Sequence, residues 1–284
     1  MRGFARARCA RANPLSLVPA QEGSMSLLQQ TPGLLEALRG AMTPKFLATR
    51  SAAGVPNVVP VVSLQPADDR PDTLFFGNFL LRKSIRNLRE DPRVGILVMT
   101  QDLRGWALTG DFQAFEKSGP YYDQQMASPL LRYNAYTGIR DAGVIAARTL
   151  EASFRLTQLA VARDLVLARL AAGQAARVAA GGVAVPLAAR REFARMAALK
   201  VLAWVGDDGY PRVVPALSLQ PAGSGALVCR AQGRLPAPGT LVAANVLTLD
   251  AVSYQAKGRW LGGGAIQVQE VYAGGPPIPG ERVA

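Results

Sequence analysis

The chain has 284 residues, 49% of them apolar and 18% charged, with a formal net charge of +12. That is enough apolar material for one large core or two modest ones, and too few charges for wholesale disorder. With two cysteines and no histidine, the composition excludes a disulfide framework, a zinc site built from cysteine alone, histidine-ligated haem and every triad that needs an imidazole base.

Residues 1–24 differ from the rest. Arg2, Arg6, Arg8 and Arg11 crowd together with Glu22 as the sole acid. The apolar stretch at 15–20 is too short for a signal peptide and holds a proline, which leaves a targeting arm or a start of translation at Met25. Leu34, Leu35 and Leu38 after Pro32 predict a short helix. Residues 46–50 and 57–65 flank a turn at Gly54 and predict a hairpin, with Pro60 placing its second strand at an edge or a bulge. A strand at 73–76, a helix at 83–90 with Ile85 and Leu88 inward, and strands at 94–100 and 106–116 follow. Residues 121–170 recur at helical spacing and are expected to be helices; the Gly/Ala-rich 171–186 is expected to be a loop or hinge. Strands resume at 199–205, 212–220, 226–229, 241–249, 251–258 and 265–272, and 274–280, with three prolines, reads as a loose tail.

The chain also repeats itself. Gly54-Val55-Pro56-Asn57-Val58-Val59-Pro60-Val61-Val62-Ser63-Leu64-Gln65-Pro66-Ala67 returns as Gly209-Tyr210-Pro211-Arg212-Val213-Val214-Pro215-Ala216-Leu217-Ser218-Leu219-Gln220-Pro221-Ala222, and Lys45-Phe46-Leu47-Ala48 returns as Lys200-Val201-Leu202-Ala203, both at an offset of 155. This predicts a duplicated β-rich unit. A weaker match at an offset of 154 pairs Val98, Gln101, Trp106 and Gly110 with Val252, Gln255, Trp260 and Gly264.

Arg82 and Lys83 open the helix at 83–90. Cations at that end oppose the helix dipole unless an anion sits among the free backbone N–H groups, so the pair marks either a phosphate site or a solvated basic turn. The remaining basic residues are scattered and lysine occurs only five times, which argues against nucleic acid as a partner. Residues 156–170 are interrupted by Arg163, Asp164 and Arg169, so no segment predicts a membrane span. Cys9 and Cys229 suit a reduced, cytoplasmic setting. No metal site is expected.

In order along 44–116, the Gly-x-Pro hairpin at Gly54-Val55-Pro56, the strand from Asn57, Phe75 to Phe79 running into Arg82-Lys83, Asn87-Leu88, Asp91-Pro92-Arg93-Val94 and Leu108-Thr109-Gly110 resemble the FMN-binding split-barrel family typified by pyridoxamine 5'-phosphate oxidase. The resemblance implies a mainly β fold with α (α+β), two split β-barrel-like halves joined by a helical connector. It gives an arm at 1–24, a first half at 25–120, a connector and hinge at 121–195, a second half at 196–273 and a tail at 274–284. It implies that Arg82 and Lys83 hold the FMN phosphate, that Asn57, Val58, Val59, Gly77 and Asn78 line the flavin, and that Gly105 and Trp106 approach the same pocket. The family builds its site at a dimer interface, so the two halves would form an internal pseudo-dimer, with a further homodimer open. The second half lacks an Arg-Lys pair and offers only Arg234; Lys257 could lend the first site a cation or stand at a solvated strand end. The C-terminal substrate segment of the oxidases has no counterpart at 274–284. What is implied is therefore an FMN-dependent oxidoreductase of a small substrate, with a deazaflavin F420-dependent reductase or a non-enzymatic flavin-storage module as alternatives.

Overall fold

The computed structural model of the chain describes residues 26–79, 81–128, 139–231, 233–274 and 280–284. The arm expected at 1–24 lies outside these residues, as does most of the proline-rich tail.

Two short helices, α1 (Leu27–Gln30) and α2 (Leu34–Arg39), precede the first sheet. Ser26 opens α1 with a capping box shared with Gln29, and α2 buries Leu34, Ala37 and Leu38 as its apolar spacing requires. The strands β1 (Lys45–Arg50), β2 (Pro56–Pro60), β3 (Gln65–Pro66) and β4 (Thr73–Gly77) lead to α3 (Arg82–Glu90). Then come β5 (Arg93–Met99), β6 (Arg104–Glu116), α4 (Pro120–Met126) and β7 (Ala142–Arg155). Helices α5 (Gln158–Val178) and α6 (Leu187–Ala194) join this half to β8 (Leu199–Val205), β9 (Pro211–Pro215), β10 (Gln220–Ala222), β11 (Ala226–Val228), β12 (Leu241–Leu247), β13 (Ser253–Gly262), β14 (Ala265–Ala273) and β15 (Glu281–Arg282). All strand pairs are antiparallel. The α+β class expected from the sequence, with one sheet from each half of the chain, is the observed one.

The two sheets have one topology. The first runs β2-β1-β5-β6-β7-β4-β3, and the second, read from its other edge, runs β9-β8-β12-β13-β14-β11-β10. Their hairpins share a register: Ala48 faces Val58 as Ala203 faces Val213, each an offset of 155. Gly54 and Gly209 both sit at positive φ, 75° and 81°, which the turn needs. Pro60 and Pro215 fall on edge strands, where a missing N–H costs no ladder bond.

Further along, the offset changes. Phe75 corresponds to Val228 (153) and Gly95 to Ala243 (148), because both occupy matching rungs. The 154-residue alignment is thereby corrected: Trp106, which faces Val98, matches Tyr254, which faces Val246, rather than Trp260. The lost residues lie where the first half has α3. Between β11 and β12 the described residues hold no helix.

Two other expectations fail in the middle of the chain. The segment predicted as helical contains β7, a 14-residue strand inside the first sheet between β6 and β4. Thr149, Glu151, Ser153 and Arg155 alternate there with Leu150, Ala152 and Phe154, a period-2 signal masked by the alanine content around it. The hinge predicted at 171–186 is helical to Val178, since its alanines favour helix and Gly173 is a single interruption on an open face.

Each half has its own apolar core, around Leu47, Leu74, Ile96 and Trp106 in the first and Leu202, Trp204, Val246 and Phe193 in the second. A third cluster forms the seam. Phe46, Ala48 and Val58 meet Val201, Ala203 and Val213, which are the same positions of the repeat, so the halves pack as an isologous pair would.

The repeat also places two lysines in the cores, both fully buried. Lys45 donates to the carbonyls of Gly40 and Val62 at 2.8 and 3.3 Å. Its counterpart Lys200 has no hydrogen-bond partner among the described residues, and burial, then Arg169, brings its pKa down to about 8. Lys200→Met is therefore expected to stabilise the fold by about 1–3 kcal/mol at pH 7. The folded pKa lies below the unfolded one, so the wild-type penalty is complete below pH 8 and fades between pH 8 and 10.5. Urea denaturation at pH 7 and pH 9.5 should show the gain shrinking at the higher pH; an unchanged or lowered stability at pH 7 would contradict the assignment.

Candidate functional site

Helix α3 is amphipathic. Ile85 and Leu88 enter the first core, while Arg82, Arg86 and Arg89 stay exposed. Its buried polar side chains fasten it to the hairpin: Asn57 Nδ2 donates to Ser84 Oγ at 3.1 Å, and Asn87 Nδ2 to Thr49 Oγ1 at 3.1 Å. No side chain caps its N-terminus, where Leu81 precedes Arg82. The first-turn N–H groups there lack intrahelical acceptors.

The second half reaches over this helix start. Lys83 Nζ stands 3.1 Å from the centroid of the Tyr272 ring, and Lys257 Nζ lies 5.7 Å from the same ring. The Tyr272 hydroxyl donates to Glu270 Oε2 at 2.5 Å, and Arg282 Nη1 pairs with Glu270 Oε1 at 3.3 Å. Among the described residues neither ammonium comes within 4.0 Å of a carboxylate oxygen. Burial lowers the Lys83 pKa to about 8, and Lys257, lowered first by burial and then by Lys83, reaches about 7. Burial first, and then the bond to Glu270, raise the Tyr272 hydroxyl. Beside them Gln255 donates to the Val58 carbonyl. The alternative of a solvated strand end for Lys257 is thus overturned, as it is only 8% exposed.

The other sequence-predicted residues are more dispersed. Asn57 and Val58 lie at this spot, Asn57 against α3 and Val58 in the seam, while Val59 turns into the first core. Gly77 pairs with Ala142, and its N–H donates to Ser63 Oγ at 3.2 Å. Asn78 is buried, its amide on Asp141 Oδ1 at 2.8 Å. Gly105 lies against the Phe154 ring, and Trp106 fills the first core beside Gly33, with β1 and β5 between it and β2. Tyr272, Gln255 and Glu270 escaped the sequence reading. The pairing of β13 with β14, which puts Gln255 opposite Tyr272, was the signal that could have found them.

A cavity among the described residues lies elsewhere. It measures about 840 Å³ and opens over β8 and β9, bounded by Trp204, Arg212 and Val214, by Leu235 and Pro236 of the helix-free segment, and by Phe154 of the first half. It is the repeat's counterpart of the site just described. Ala107 faces Ala152 on the rung where Gln255 faces Tyr272 in the other half, and both alanines line the cavity. Two large side chains are thus replaced by methyl groups, and α3 has no equivalent.

A phosphate dianion fits the residues at the start of α3: two ammonium groups in no direct ion pair, the nearby Glu270 being taken by Tyr272 and Arg282, with an exposed guanidinium and uncapped N–H groups. The adjoining space along β2 is occupied by Gln255 and Tyr272.

No family model matches the chain, and no curated protein is similar to it. Among solved structures it is similar to an FMN-binding protein from Syntrophomonas wolfei, at 16% identity over 46% of this chain and 88% of that one, with a TM-score of 0.37. An F420 reductase is similar at 21% identity over 44% of this chain and 100% of that one, with a TM-score of 0.31. HutZ, the heme storage protein from Vibrio cholerae, is similar at 15% identity over 44% of this chain and 92% of that one, with a TM-score of 0.33.

Proposed function

We propose that this chain is a flavin-binding protein of the split-barrel type that takes the phosphate of FMN, or of the deazaflavin F420, at the start of α3 and serves as an oxidoreductase for a small substrate. The observation that carries this reading is the meeting of Lys83 and Lys257, from opposite halves, over one tyrosine ring, while the nearby Glu270 carboxylate is engaged by Tyr272 and Arg282 and pairs directly with neither. Ammonium groups gathered this way repel each other unless an anion joins them.

In this reading Lys83 and Lys257 clamp the phosphate from two sides and Arg82 closes it from solvent. Asn57, held by Ser84, and Val58 lie next to this clamp and would line the ring. The bound flavin would supply hydride and electron transfer, which a chain without histidine cannot supply through an imidazole. The residues of this chain bind and orient it, and the seam excludes water. The two halves act as the pseudo-dimer, and a reduced cytoplasmic setting suits the chemistry. Among the described residues no helix is long and apolar enough to cross a membrane.

A non-enzymatic storage role is favoured by one observation. Gln255 sits on the Val58 carbonyl and Tyr272 under Lys83, two large side chains that crowd this site and leave a substrate little room. Protein expressed with flavin available should absorb in the visible and release FMN or F420 on heating, identified by mass. Turnover with a nicotinamide donor then selects the oxidoreductase, and its absence in the loaded protein selects storage. Colourless protein that takes up neither cofactor refutes both.

The same lysines give a pH dependence. Free, they lose protons from about pH 7 upward; a bound phosphate favours their charged forms. Affinity for FMN should therefore fall as pH rises from 7 to 9.5, with proton uptake on binding at pH 8. Calorimetry in two buffers of different ionisation enthalpy measures that uptake, and zero uptake would remove the lysines from the site.

A further inference from the structure

We propose that the cavity over β8 and β9 is a second ligand site, for an apolar small molecule that is uncharged or singly cationic, of the aromatic-amine class. It goes beyond the phosphate site of the first half and differs from it in shape and in charge.

The shape follows from the repeat. Thr49 and Asn57 in the first half hold Asn87 and Ser84 of α3. Their counterparts, Trp204 and Arg212, are an adjacent pair on the same rung but face no helix, and both line the cavity. Gln255 and Tyr272, which close the first site, are Ala107 and Ala152 here. The space of about 840 Å³ lies within the range of small-molecule sites, roughly 300–1,000 Å³. Its walls are mostly apolar, with Trp204 and Phe154 offering two aromatic faces.

The charge points away from phosphate. Two guanidiniums and three carboxylates line the cavity. Arg212 lies between Glu151, at 2.6 Å, and Asp208, at 2.7 Å, and Arg234 pairs with Asp207 at 3.0 Å. Every lining arginine is thus matched, and among the lining groups one carboxylate is in excess, with Arg93 of β5 near Asp208 from outside the lining. An entering anion would face that excess, whereas a cation or a neutral ring would not.

Fluorescence titration of the full chain with 9-aminoacridine, a planar monocation, and with the anion 1-anilinonaphthalene-8-sulfonate tests the site. The expected result is saturable 1:1 binding of 9-aminoacridine at least tenfold tighter than that of the sulfonate, undisturbed by FMN. Ala152→Tyr, which installs the residue of the other half at an exposed position, should weaken 9-aminoacridine at least tenfold while circular dichroism stays unchanged. Ala107→Gln, at a buried position of the seam, is the second variant, read only where circular dichroism is unchanged. Equal binding of the two dyes, displacement by FMN, or undiminished 9-aminoacridine binding in the folded Ala152→Tyr protein would each overturn the proposal.

Discussion

Gly95→Ala should cost this protein about 3 kcal/mol of stability, the upper end of what overpacking normally does. Gly95 lies on β5 where β9 of the second half crosses it. A Cβ there would stand 2.9 Å from the Pro211 carbonyl carbon and closer still to its oxygen. The obstacle is backbone, which cannot turn aside as a flexible side chain would. Nor can β9 back away cheaply. Arg50 donates to the Gly209 carbonyl at 3.0 Å and pairs with Asp91 at 3.2 Å, while the Tyr210 hydroxyl donates to Asp111 at 2.8 Å. Asp91 is held below the ordinary carboxylate range first by the hydrogen bond from Arg93, so this anchor stays charged through neutral pH. Relief of the clash must shift one half against the other. The measurement is urea denaturation of Gly95→Ala beside Gly173→Ala, whose new methyl on α5 meets open space and should gain about 0.5–1 kcal/mol instead. Equal midpoints for the two variants would mean that the seam is not closed at Gly95.

Much of this was legible in the chain because the repeat is written in residues with strong local meaning. Gly54 and Gly209 require the same turn, Pro60 and Pro215 the same edge, and the strand between each pair can take only one register. Ile85 and Leu88 likewise fixed the inward face of α3 from spacing alone. What stayed hidden depends on pairing between distant segments. The local alternation at Thr149–Arg155 is too weak against the surrounding alanines to mark Ala142–Arg155 as a strand; β6 on one side and β4 on the other supply its ladder, and tertiary pairing overrides the helix preference of its alanines. Matching Trp106 to Trp260 failed for a similar reason. Identity of two large residues drew the alignment, whereas the rungs of the sheet place Tyr254 opposite Val246. The candidate site divides in the same way. Arg82 and Lys83 stand out by their position at a helix start, but Tyr272 becomes relevant only when β14 is laid across α3, and the cavity only when the two halves are superposed by rung.

The largest functional effect should come from the cations. Lys83→Ala together with Lys257→Ala is expected to weaken FMN by roughly a hundredfold or more, since bonds between charged partners are worth about 1.5–3 kcal/mol each and tenfold is about 1.4 kcal/mol. Arg82→Ala, at an exposed position, should cost less, about tenfold. The two lysines share one phosphate and one ring, so their effects will not add; a double-mutant cycle should show coupling. Riboflavin separates the causes. It carries the same ring without the phosphate, so its affinity should be nearly unchanged by either lysine variant, whereas damage to the seam would weaken both ligands alike. Tyr272→Ala refines the reading further. Removing the ring frees Lys83 from its resting place and empties space beside β2, so FMN and riboflavin should both bind more tightly if the ring of the flavin enters there. Weaker binding of both would mean that Tyr272 is part of the flavin's own wall, and that the space beside β2 is closed by design rather than held by a displaceable side chain.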